Sequence, residues 1–158
     1  MKRQIIFKYK DYALLKKSLY ERQDLESAVY ACYKESTTEN SHKILVNKIL
    51  VPKKRDYYTR NPTRVAFAPE FTEKALRLCL KHRYHLLDIH THPWSHDVSF
   101  SSIDDQEAIH TKIPYFKQYL EGTKISFIVF GESSEIAQAR MWETESDTLQ
   151  PISKIVIL

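Results

Sequence analysis

The sequence predicts an α/β fold: a single mixed domain in which a central curved β-sheet is flanked by about three helices. Three observations lead there. Short apolar or alternating runs of strand length recur along the chain, and apolar residues at helical spacing mark three longer stretches. At 158 residues, 42% hydrophobic and 28% charged, the chain can bury one core without disulfides or structural metal. No internal repeat, low-complexity tract or linker divides it.

Residues 3–9 alternate and read as a first strand. Asp11 is placed to cap a helix to about residue 21, with Tyr12, Leu15, Leu19 and Tyr20 as its apolar stripe. Glu26 then opens a compact apolar run over 27–33, the second strand. The polar cluster 36–41 reads as a turn, and 43–51 as the returning third strand. From Pro52 to Pro62 the chain is basic and aromatic. That segment reads as a loop serving as a solvated connector, a substrate-contacting insertion or a nucleic-acid contact. Residues 63–68 resume as a short strand. Pro69 suits the start of a helix whose buried face is Phe71, Ala75, Leu78, Cys79 and His82. Residues 84–90, with Leu86, Leu87 and Ile89, read as a central strand. Ser101 or Ser102 caps a helix carrying Ile103, Ala108 and Ile109 that ends near Pro114, and a short helical segment follows over 115–121. Three closing strands are expected at 124–130, 135–142 and 152–158.

Composition narrows the function. The net charge of +4 comes from scattered Lys and Arg, not from a basic stripe, so a nucleic-acid partner is not expected. No apolar run approaches the ~20 residues that span a bilayer, and the three-residue apolar stretch near the N-terminus is too short for a signal peptide. No membrane association is expected. Cys32 and Cys79 lack CxxC spacing and sit in apolar patterns, which reads as buried thiols in a reducing, cytoplasmic compartment. Only two glycines occur, Gly122 and Gly131, and no phosphate-cradling loop can be built from them.

The chemistry concentrates at His90-Thr91-His92-Pro93 and, seven residues on, Ser101-Ser102-Ile103-Asp104. Histidines at i and i+2 project from one face of a strand. A carboxylate a dozen residues later returns to that face if the loop turns back through a short helix. Two imidazoles and one carboxylate leave a fourth tetrahedral position for water, as in catalytic rather than structural zinc sites. Such a metal lowers the pKa of its water towards ~7. Ser101-x-x-Asp104 is also a helix-capping pattern, and Ser102-x-x-Asp105 is a second, overlapping register. His96 and Asp97 read as loop residues, Trp94 as a channel wall or packing residue, and His42, His82, His85 and His110 as structural.

His90-x-His92-Pro93, seven residues and then Ser101-x-x-Asp104 resembles the signature of the JAMM/MPN+ (JAB) zinc metallopeptidases, and looks most like their compact bacterial branch. The order of elements is also similar, so the resemblance spans most of the chain, although only the motif is specific. It implies a JAB/MPN fold of the cytidine-deaminase-like kind, with one zinc per chain held by His90, His92 and Asp104. It implies Ser101 as the residue that steadies the oxyanion. It points to Glu26 as the general base, with Glu21 and Glu35 as the alternatives; the glycine often found shortly after the family's glutamate is missing here. The implied activity is isopeptide or peptide cleavage after the C-terminal tail of a ubiquitin-like modifier, by deconjugation or precursor processing. Modifier-activating or conjugating enzymes are the implied further partners. A catalytically inactive MPN-type scaffold is the competing reading, and a two-His-one-carboxylate iron oxygenase fits on ligand type alone.

Overall fold

The computed structural model describes all 158 residues. Ten strands and three helical bodies form one mixed α/β domain. The strands are β1 (Lys2–Phe7), β2 (Ala28–Thr37), β3 (Ser41–Leu50), β4 (Tyr57–Asn61), β5 (Arg64–Phe67), β6 (His85–Thr91), β7 (Ile125–Phe130), β8 (Ala137–Glu143), β9 (Thr148–Ile152) and β10 (Lys154–Ile157). The helices are α1 (Tyr9–Tyr20), α2 (Pro69–His82), α3 (Ser102–Glu107) and α4 (Ile113–Tyr119), the last two joined by a π-helical turn, Ala108–Lys112. No helix is long and apolar enough to cross a membrane.

Eight strands make one curved sheet in the order β10-β1-β3-β2-β6-β7-β8-β9. Its two end strands are consecutive in the chain and separated only by Ser153, so the sheet nearly closes on itself. Two contacts help draw the ends together: Arg3 Nε donates to Glu143 at 3.1 Å, and Ser153 N and Oγ donate to the Arg3 carbonyl. Strand alternation divides the apolar residues between two faces. Val29, Ala31, Tyr33, Leu87, Ile89, Ile128 and Phe130 pack on one face with Tyr12, Leu15 and Leu19 of α1. On the other, Tyr30, Cys32, Leu86, Ile125 and Phe127 meet α2 and α4. Cys32 and Cys79 are fully buried free thiols, their sulfurs 3.9 Å apart.

Several expected boundaries move for identifiable reasons. α1 starts at Tyr9, so Asp11 does not cap it; Lys8 is the N-cap, and Asp11 sits in the first turn, where a carboxylate favours the positive end of the helix dipole. β2 and β3 extend beyond their apolar cores into the expected 36–41 turn, because outward-facing strand ends need no apolar residues. Residues 52–62 are not a loop throughout: after a 3-10 turn at Lys54–Asp56, β4 pairs with β5 in a separate two-stranded hairpin. Pro114 does not stop the helix; it lies in the first turn of α4, where its missing N–H is tolerated, and the chain passes from α3 through the π turn. The last expected strand, 152–158, shortens to β10, and another strand, β9, precedes it. β9 went unforeseen because it carries Pro151, which only an edge strand accommodates.

Candidate metal centre

β2 runs antiparallel to β6 with Ala28 opposite His90, and the Ser27 and Thr91 backbones continue the register. Ser27 N also donates to Thr91 Oγ1 at 3.0 Å, and Thr91 N to the Ser27 carbonyl at 2.9 Å. One more step places Glu26 opposite His92. His92 lies just past β6, held by its amide on the Phe130 carbonyl at 2.8 Å. The loop that follows packs against Gly131, where a Cβ would come within 2.7 Å of the Ser95 carbonyl oxygen. Only glycine fits there.

Asp104 returns to the histidines by the expected route. Ser101 is the N-cap of α3: its Oγ accepts from Asp104 N at 3.1 Å, and its own N donates to Asp104 Oδ2 at 2.8 Å. This reciprocal cap fixes the carboxylate, whose Oδ1 is 3.2 Å from His90 Nε2 and Oδ2 3.3 Å from His92 Nε2. The two Nε2 atoms are 3.3 Å apart. A tetrahedron of ligands at the ~2.0–2.1 Å zinc distances has edges of about 3.3–3.4 Å, a separation the two Nε2 atoms already have, while Asp104 meets each ring through a different oxygen. Glu26 belongs to the same cluster, with one ligand atom each from Glu26, His90 and His92 lying within 4.8 Å of one another. This buried Glu/His/His group could hold a metal ion.

Charge is unevenly distributed across the site. Burial works against the charge on Asp104, but contacts from His90, His92 and the Ser101 amide outweigh it and hold the carboxyl well below its usual range. Burial likewise opposes protonation of His92, yet Asp104 and Glu26 raise it. Glu26 behaves in the opposite sense. It is 4% exposed, its backbone N and O bond Asn61 and Arg60, and its carboxylate takes no hydrogen bond. Burial pushes it up to about 7, only partly offset by His90 and His92.

All five expected site residues, Glu26, His90, His92, Ser101 and Asp104, line one end of a cleft of about 600 Å³. The alternatives lie elsewhere. Asp105 pairs with Arg140 at 2.6 Å, Glu35 with His42 and Lys124, and Glu21 is exposed at the end of α1. His96 pairs with Glu132 on the surface. Trp94 is 60% exposed and stacks on His92, with ring centroids 5.6 Å apart, and its Nε1 donates to the Pro62 carbonyl.

Two sets of residues escaped the sequence. Tyr57 Oη bridges the N and O of Ala28, and Arg60 donates to the Glu26 carbonyl at 3.1 Å and to Ser27 Oγ at 2.7 Å while stacking on Tyr57. The hairpin thereby clamps the segment carrying Glu26. Asp88 lies two residues before His90 on the same face and pairs with Lys112 of the π turn at 2.5 Å. An acidic residue inside the apolar run 86–89 was a readable signal for Asp88; nothing local pointed to Lys112. The chain matches no protein-family model and no curated protein.

Proposed function

We propose that this chain is a zinc-dependent peptidase or isopeptidase of the JAMM type, cleaving after the C-terminal tail of a ubiquitin-like modifier in deconjugation or precursor processing. One observation carries the reading: two imidazole nitrogens 3.3 Å apart, each facing an oxygen of the Asp104 carboxylate at 3.2–3.3 Å, with the Glu26 carboxylate in the same cluster at the end of a cleft. His90, His92 and Asp104 would hold the metal, and the O/N donor set suits hydrolytic zinc. Zinc bound there supplies Lewis acidity and a water acidic enough to react at neutral pH. Glu26, at the metal-ligand cluster with no protein hydrogen bond on its carboxylate, takes the proton of the attacking water and returns it to the departing amine nitrogen. The Ser101 Oγ accepts from Asp104 N, which leaves its own proton free to donate to the oxyanion that forms on the scissile carbonyl.

The tail is held by main-chain pairing. β5 has a strand neighbour on one side only, and residues from Thr63 to Phe67 line the cleft, so an extended segment can add to that edge on its way to the metal ligands. The free, buried thiols suit a reducing compartment such as the cytoplasm.

Elemental analysis of wild type and His92→Ala, purified without added metal, tests the proposal. About one zinc per chain, lost in the variant, is expected. Cleavage of modifier fusions then follows, with Glu26→Ala as the inactive control. Wild type that takes up no zinc, even on reconstitution, leaves a non-catalytic scaffold and overturns the peptidase reading.

A further inference from the structure

The cleft is larger than a metal centre needs. Its 600 Å³ falls within the 300–1,000 Å³ range typical of ligand pockets. The metal-ligand candidates occupy one end. Away from them it runs between α2 and the α3–π–α4 stretch, with the sheet as floor. The walls there include the rings of Tyr30, Phe67, Tyr115, Phe116 and Phe127. Of the polar groups on the floor, Asp88 pairs with Lys112 at 2.5 Å and Tyr30 Oη with Thr72 Oγ1 at 2.9 Å, while Arg140 lies over the Phe100 ring with Nε and Nη2 unpartnered. Between the helices the cleft thus offers a ligand mainly ring-lined surface, with charged residues such as Arg64, Glu73 and Arg140 also on its walls. A tail whose last residues are all glycine would leave that surface untouched.

Resting on the peptidase reading, we propose that the cleft is a specificity pocket for a bulky aromatic residue of the substrate tail, two to four residues before the scissile bond. The position follows from the strand that carries the metal ligands. Asp88 and Leu86 precede His90 by two and four residues on the same face of β6, or about 7 and 13 Å at ~3.3 Å per residue. A tail paired with β5 advances by the same step, and alternate side chains turn towards the sheet floor. A ring there meets its aromatic neighbours edge-to-face or offset, arrangements that aliphatic side chains cannot reproduce. The pocket thus gives selectivity to a site whose main-chain pairing provides little.

Binding to metal-stripped full-length protein tests this without hydrolysis. The probes are the product-like peptides acetyl-Phe-Ala-Gly-Gly and acetyl-Ala-Ala-Gly-Gly, with a third carrying Phe third in the sequence, titrated by calorimetry. At least one Phe peptide should bind about tenfold or more tightly than the Ala peptide. The preference should vanish in Val65→Trp, which fills the cleft from the Phe67 face of β5, and persist in Ala66→Trp, on the opposite face, while both variants still take up zinc. Equal binding of all three peptides to wild type overturns the inference, as does a preference that survives Val65→Trp. Intact aromatic preference without cleavage of any fusion refutes the peptidase reading alone. Cleavage of fusions without aromatic preference refutes the pocket alone.

Discussion

Replacing Glu26 by Gln in the metal-free protein should stabilise it, and the gain should depend on pH. The native carboxylate is buried without a hydrogen bond, and burial raises it from 4.5 to about 7. A folded pKa above the unfolded one means that the native state holds the proton more tightly, so ionisation opposes folding. The penalty is absent below about pH 4.5, grows as pH rises towards 7 and is constant above. At 1.36 kcal/mol per pKa unit, this rise amounts to about 3 kcal/mol. Gln keeps the volume and hydrogen-bonding capacity without the charge. Urea denaturation of chelator-treated proteins at pH 4, 6 and 8 reads the difference. The variant should match wild type near pH 4 and exceed it by about 3 kcal/mol at pH 8, while losing activity when zinc is restored. A difference that is flat with pH, or a less stable variant at pH 8, would show that Glu26 is not the unpaired buried acid described above.

Three further outcomes follow from the same geometry. Ser101→Ala should cost about 1 kcal/mol by loss of the α3 cap, whereas Ser101→Gly should cost only a few tenths. If the hydroxyl also stabilises the oxyanion, both lower kcat by about 10²–10³, so comparing denaturation with kinetics separates the two roles. Gly131→Ala forces a Cβ onto the Ser95 carbonyl oxygen at 2.7 Å and should destabilise the fold by about 1–3 kcal/mol. Because Ser95 belongs to the loop after His92, zinc affinity measured by chelator competition should fall as well. Arg60→Ala removes the clamp on the Glu26 carbonyl and Ser27 Oγ, and should lower kcat with zinc content unchanged. An unaltered kcat would mean that β2 alone fixes Glu26.

The local chemistry of the centre was legible because it is written at short range. The i, i+2 histidines follow from strand alternation, and Ser101 with Asp104 from the three-residue spacing of a helix cap; both periodicities are properties of neighbouring residues. Glu26 was pointed to by the resemblance alone, with Glu21 and Glu35 left open. The order of most strands and helices was readable from the same periodicities. β9 was hidden because its proline contradicts strand propensity except at an edge, and which strand is an edge is a property of the sheet.

Tertiary structure decided the rest. That Glu26 faces His92 depends on the β2–β6 register, a pairing of segments some sixty residues apart that one step of slip would turn to the other face. The β4–β5 hairpin clamps Glu26 through main-chain carbonyls, which carry no sequence signature. The ring-lined cleft exists because α2 and the α3–π–α4 stretch stand apart on one sheet face, with Lys112 turned inward onto Asp88. The sequence by itself determined which groups could bind a metal, since donor type and local periodicity belong to the chain. Which groups surround that metal is set by the packing of distant elements, and only the folded sheet brings those together.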